Sequence, residues 1–263
     1  MGENPEARVS AQKKIHSSSQ GLLVFLIILT FCYVLFQKFS PLFRVAVPIA
    51  TAVAVYKSLK VSREKKGGKM EKSTWKLVTV CLGIWLAGEI SVAFFFAREG
   101  FLPYPSFAEI AYLIGYLLMS AGAFTIIRRV EVRLPITHVI AFTLLTLILS
   151  GAVTNFIIIR ALQTDLDPIG KAFSIGLPVA DMLLIIVVFA IYFVYFGSGI
   201  KETLLEESWA IVILGMTFSA FADMITTYTK ITFVDSVYVA LLPGILYIWS
   251  RGVVGLGAQS RES

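Results

Sequence analysis

The chain reads as eight continuous apolar runs separated by short polar links. They fall at about 21–37, 42–58, 76–97, 107–127, 135–159, 171–196, 208–229 and 236–251. Each approaches the roughly 20 residues needed to cross about 30 Å of hydrocarbon as a helix. The runs are unbroken rather than alternating, so a transmembrane β-barrel is not indicated. The pattern predicts an all-α, polytopic membrane bundle of eight spans, with seven as the alternative. The run at 42–58 is the weakest, bracketed by Arg44 and Lys57, and the solid apolar stretch of the last run is short. The first run follows a polar stretch with Arg8, Lys13 and Lys14 and has no small-residue cleavage site after it. It reads as a retained signal anchor. The organisation expected is a tail at 1–20, a bundle at 21–251 and a tail at 252–263.

Composition agrees with this. Of 263 residues, 57% are hydrophobic and 15% charged, against roughly 25% charged in ordinary soluble domains. Two cysteines and two histidines make neither a disulfide framework nor a His-rich metal site. Lys and Arg then set the orientation. With eight spans and a cytoplasmic N-terminus, six of the 23 basic residues lie outside (Lys38, Arg44, Arg98, Arg160, Lys171, Lys230), leaving 17 inside. Both termini are therefore expected in the cytoplasm. The densest basic stretch is the 57–76 linker, with Lys57, Lys60, Arg63, Lys65, Lys66, Lys69, Lys72 and Lys76 against Glu64 and Glu71. It serves as a topology determinant, or as a dock for anionic lipid headgroups or a partner. The net charge of +6 comes from this inner face, so membrane lipids, not nucleic acid, are the expected partner.

The two halves of the chain echo one another. Glu109-x-x-Tyr112 opens one helix and Asp235-x-x-Tyr238 another. Glu89 and Asp223 each lie late in the preceding helix. Pro48-Ile-Ala-Thr matches Pro178-Val-Ala-Asp. A duplicated four-helix unit, 21–128 and 135–251, would place the halves in parallel about an axis along the membrane normal.

Carboxylates inside a bilayer are expensive and mark function by default. Glu89, Asp181 and Asp223 lie within spans, while Glu109 and Asp235 begin them. From the helical rise, Glu89 and Asp181 sit about 15 Å, and Asp223 about 10 Å, below the outer surface. Their convergence would form an acidic cavity open to the outer side. Like charges this close cannot all ionise unless a cation sits among them. Helical spacing adds Trp85 beside Glu89, and Ser219 and Thr227 beside Asp223; Tyr112 and Tyr238 complete the candidate ligand-binding set. Aromatics and hydroxyls suit an organic or amphiphilic ligand better than a bare ion, so neither a metal nor a cofactor is expected.

Structural roles compete for the same residues. Ser106-x-x-Glu109 after Pro-Tyr-Pro is a capping box. Asp235 and Asp167-Pro168 read as helix caps. Glu89, Asp181 and Asp223 can equally hold helices together by interhelical hydrogen bonds. Pro48 and Pro178 read as kinks, Tyr116 as packing, with packing also open for Trp85, Tyr112 and Tyr238, and Cys32 and Cys81 as inert thiols. No phosphate loop, nucleophile elbow or H-E-x-x-H helix occurs. His16 and His138 lie away from the carboxylates, and no lysine sits mid-span for a retinal Schiff base.

Gly88-Glu89, Pro103-Tyr104-Pro105-Ser106-Phe107-Ala108-Glu109 and Ala111 to Tyr116, with Leu177 to Asp181 and Ala222-Asp223, resemble the multi-span N-terminal sensory modules of bacterial diguanylate cyclases. The resemblance covers nearly all of 20–251 and implies a receptor-like module. The chain ends twelve residues after Arg251, so such a sensor would signal through a separate output protein. A fainter similarity is to the eight-span lysoplasmalogenases. It implies a lysolipid hydrolase with Glu89 and Asp223 as acid and base, although Glu89 and Ala222 stand where that family has Asp and Ser. Three readings stand: a ligand-binding module, that hydrolase, and a proton- or cation-coupled transporter.

Overall fold

The computed structural model describes residues 24, 26–28, 30, 45–63, 69–99, 105–127, 135–197, 203–232 and 237–262. Among the described residues there is no strand. The long helices are α1 (Ala46–Arg63), α2 (Lys69–Glu99), α3 (Phe107–Ile127), α4 (Ile136–Gln163), α5 (Pro168–Gly197), α6 (Thr203–Thr232) and α7 (Val237–Glu262). Within them, Lys72–Glu99, Ile136–Gln163 and Pro168–Phe193 are long and apolar enough to cross a membrane, and Phe107–Gly122 and Ile245–Ala258 are shorter apolar stretches. The chain is a helical membrane protein. Large apolar side chains such as Ile136, Leu147 and Ile148 point outward and exposed, as hydrocarbon-facing positions do. Most of the run at 21–37 lies outside the described residues. Its described positions are helical, and Leu26 packs against Ala46 and Ile248.

Six helices close a ring. Going round, α1 packs on α2, α2 on α3, α3 on α5, α5 on α6, α6 on α7, and α7 back on α1. The main core lies where they meet and includes Trp75, Leu82, Trp85, Tyr116, Leu184 and Met216. α4 stands outside the ring against α5. Its C-terminal third also reaches α6, where Val153, Ile157 and Ala161 pack with Ala220 and Met224. A π-helical turn at Thr154–Ile158 underlies this contact. Its i→i+5 bonding widens the turn and keeps these four-apart residues on one side.

Several boundaries follow local chemistry. Ser106 caps α3: its backbone N–H donates to Glu109 Oε2 at 2.7 Å, its hydroxyl bonds the same oxygen, and its Oγ accepts from Ala108 N–H at 3.2 Å. This is the capping box read from sequence. Asp167 caps α5 by accepting from Gly170 N–H at 3.3 Å, with Pro168 at the first helical position.

Other boundaries differ from expectation. Pro48 lies in the first turn of α1, where it kinks nothing, whereas Pro178 is interior to α5. Much of the 57–76 linker is helical, belonging to α1 or α2. The last helix does not finish at Arg251 but runs on to Glu262. Arg251 is fully buried in mid-helix and cannot count among the cytoplasmic charges. A guanidinium ends a span only when nothing inside the bundle compensates it; here a carboxylate does.

Candidate functional site

Four ring helices each contribute two residues one turn apart: Trp85 and Glu89 from α2, Tyr112 and Tyr116 from α3, Ser219 and Asp223 from α6, Tyr247 and Arg251 from α7. An i, i+4 pair presents both side chains on one face, so every helix turns a single polar-aromatic stripe inward. Small residues allow the close approach. A Cβ on Gly115 would fall 2.1 Å from Trp85 Nε1, and one on Gly215 would fall 2.8 Å from the Ser250 carbonyl oxygen. Glycine lets the Trp85 ring lie over α3 and lets α6 press against α7.

Arg251 is the hub. Its Nε–H donates to Glu89 Oε1 at 3.2 Å, and Nη1 donates to Ser219 Oγ at 3.1 Å. Its Cζ lies 4.3 Å from the Trp85 ring centroid and 6.0 Å from that of Tyr247, so the charge meets aromatic faces as well as a carboxylate. Nη2 is buried without a hydrogen-bond partner. The Thr51 hydroxyl of α1 faces Glu89.

Asp223 forms the second centre. The Tyr116 hydroxyl donates to one carboxylate oxygen and the Tyr247 hydroxyl to the other. Tyr116 also hydrogen-bonds Ser219 at 3.0 Å, which joins the two centres into the chain Glu89–Arg251–Ser219–Tyr116–Asp223–Tyr247. The rings stack around it: Trp85 and Tyr116 have centroids 4.9 Å apart, Tyr112 and Tyr247 6.5 Å apart and nearly parallel. Trp85 Nε1–H donates to the Tyr112 carbonyl at 3.3 Å.

Asp181 of α5 differs from both. It is fully buried, and neither carboxylate oxygen has a hydrogen-bond partner. Its neighbours Ala180 and Leu184 pack in the core with Trp85 and Tyr116, while Met182 and Ile185 pack with Ala220 and Met224. It therefore sits where the two cores meet, within electrostatic reach of Tyr247.

Of the residues singled out from sequence, Trp85, Glu89, Tyr112, Ser219 and Asp223 come together, and Asp181 lies beside them. Glu109 is engaged in its capping box. Thr227 is buried one turn beyond Asp223. Asp235 and the Tyr238 side chain lie outside the described residues, as do Cys32 and His16. Cys81 is a buried thiol in the main core. His138 packs edge-on against Phe193, its centroid 5.9 Å away. Sequence reasoning missed Arg251 and Tyr247, and took Tyr116 for packing although its hydroxyl binds Asp223. One signal was available. Gly252 to Ala258 is as apolar as a span interior, which places Arg251, and Tyr247 one turn before it, within the bundle.

No protein-family model, curated protein or solved structure matches the chain.

Proposed function

We propose that this protein is a receptor-like membrane module that binds a small or lipid-like ligand at the layer formed by Glu89, Asp181, Asp223 and their aromatic neighbours. The observation that carries the reading is the Arg251–Glu89 pair inside a wall of Trp85, Tyr112, Tyr116 and Tyr247. Desolvating two charges costs several kcal/mol per ion, and an apolar pair would hold helices as well. Retaining charge there is accounted for by recognition. In this reading eight spans run with both termini cytoplasmic and the site opens outward. The ring order supports a duplicated unit, because α1, α2 and α3 are followed by α5, α6 and α7. The resemblance to sensory modules supports a role in signalling. The test is native mass spectrometry of the full chain released from detergent. A co-purified molecule, lost in Arg251→Met, is the expected result; a bare chain that also binds none of a panel of lipids and small molecules overturns it.

Lysolipid hydrolysis is the second reading, favoured by the continuous polar chain that links Glu89 to Asp223. It predicts aldehyde release from lysoplasmalogen that falls at least a hundredfold in both Glu89→Gln and Asp223→Asn. Absence of product removes it. Coupled transport is removed if sealed vesicles show no substrate-dependent proton flux.

A further inference from the structure

The polar layer is short of positive charge. Its described members include three carboxylates, Glu89, Asp181 and Asp223, and one guanidinium. Arg251 is engaged by Glu89 and Ser219, and Asp223 by two phenols. Asp181 is left with two buried oxygens and no partner. The basic residue before it on α5, Lys171, is turned away and donates to the Leu162 carbonyl at 3.4 Å.

Three kinds of species can neutralise such a group. A proton removes the charge but leaves the hydrogen-bonding capacity of both oxygens unmet, since a protonated carboxyl needs an acceptor for its own O–H. A hard metal ion needs about six oxygens, and among the described residues no three His, Cys, Asp or Glu are placed to share one. A primary or secondary ammonium satisfies the site. Its N–H groups donate to both oxygens in charge-assisted bonds. Its carbon substituents meet the aromatic and aliphatic walls, and ring faces attract the cation itself.

We infer that Asp181 is the counter-ion for an organic ammonium group, so that the site takes an amine-bearing amphiphile, its charge on Asp181 and its apolar part among Trp85, Tyr116, Tyr247 and Leu184. The assignment rests on the binding-module reading and names its ligand class. Arg251, with Nη2 free, lies on the same layer and admits a ligand that also carries an oxygen acceptor.

The experiment uses the full chain in dodecyl maltoside and three probes of one length: hexylamine, hexanol and hexanoate. Binding is followed by tryptophan fluorescence and by thermal unfolding. Hexylamine should give a saturable change and a raised unfolding temperature, while hexanol and hexanoate give only linear, non-saturable drift. Asp181→Asn should weaken hexylamine at least tenfold and remain monodisperse, because it removes a charge that has no partner. Should the variant fail to fold, the comparison of probes on the unaltered chain still decides. Unchanged hexylamine binding in Asp181→Asn, or hexylamine no better than hexanol, overturns the cation assignment. Saturable hexanol or hexanoate binding does so too but leaves the binding-module reading standing. No binding by any probe, with nothing co-purified, overturns both.

Discussion

α4 and its ring neighbour α5 are built from similarly greasy sequence, yet they meet different surroundings. Only 11% of the apolar window of α4 is buried, against 50% of that of α5. α4 carries no carboxylate. Its Thr143 hydroxyl is satisfied locally, donating to the Val139 carbonyl at 2.8 Å. Among the described residues, α2, α5 and α6 carry the buried acids Glu89, Asp181 and Asp223, and α3 carries buried Glu109 in its first turn. Hydropathy measures transfer into an apolar medium and is blind to whether that medium is lipid or protein. Charge is not blind to it, because lipid cannot solvate a carboxylate and a neighbouring helix can. The acids therefore mark inward faces of the helices that carry them, whereas α1 belongs to the ring without one and is placed there by packing alone.

That contrast breaks most readily at Arg251. Replacing it by Met leaves Glu89 buried without its cation and should cost about 3–5 kcal/mol, read from reversible unfolding in mixed micelles. Adding Glu89→Gln to that variant should restore part of the loss; a single variant as stable as the parent would show that the pair holds nothing. Asp223→Asn should cost about 1–3 kcal/mol, since the acceptor of two phenols loses its charge and gains a donor facing one of them. At the rim of the ring, Ser106→Ala removes the cap of α3 and should cost about 1 kcal/mol, with faster amide exchange confined to residues 107–110. Tyr247→Phe should lose about 0.6 kcal/mol, the mean for one interhelical hydrogen bond in a membrane. The control lies on α4: Leu147→Ala changes an exposed side chain and should stay within about 0.5 kcal/mol of the parent. A Leu147 effect as large as that at Asp223 would mean that α4 has a protein partner rather than lipid.

Much of the fold was legible. The run at 107–127 coincides with α3, and those at 171–196 and 208–229 fall inside α5 and α6, because the polar links between them are sharp. The caps at Ser106 and Asp167 were legible for the same local reason: a cap is three or four residues long and needs no distant partner. The last helix was misread at its far end. Arg251 is a stop signal by charge alone, and the carboxylate that cancels it is 162 residues away in sequence. Tyr116 and Tyr247 were hidden likewise, since nothing in a tyrosine's neighbours along the chain tells whether its hydroxyl meets an acid across a ring of helices.

The amino-acid sequence by itself determined that this is a helical membrane protein, where most of its long helices lie, and that Glu89, Asp181 and Asp223 are costly to expose to lipid. Those follow from hydrocarbon thickness, helical rise and the cost of charge in lipid, and all three act within a single span. Only the tertiary structure decided that α4 stands outside a closed ring, that Glu89 takes Arg251 as its partner, that Asp223 is held by two phenols, and that Asp181 is left with none. These are pairings between spans. Charge and hydrogen bonding at about 3 Å depend on which helices become neighbours, and that is set by packing across the whole bundle.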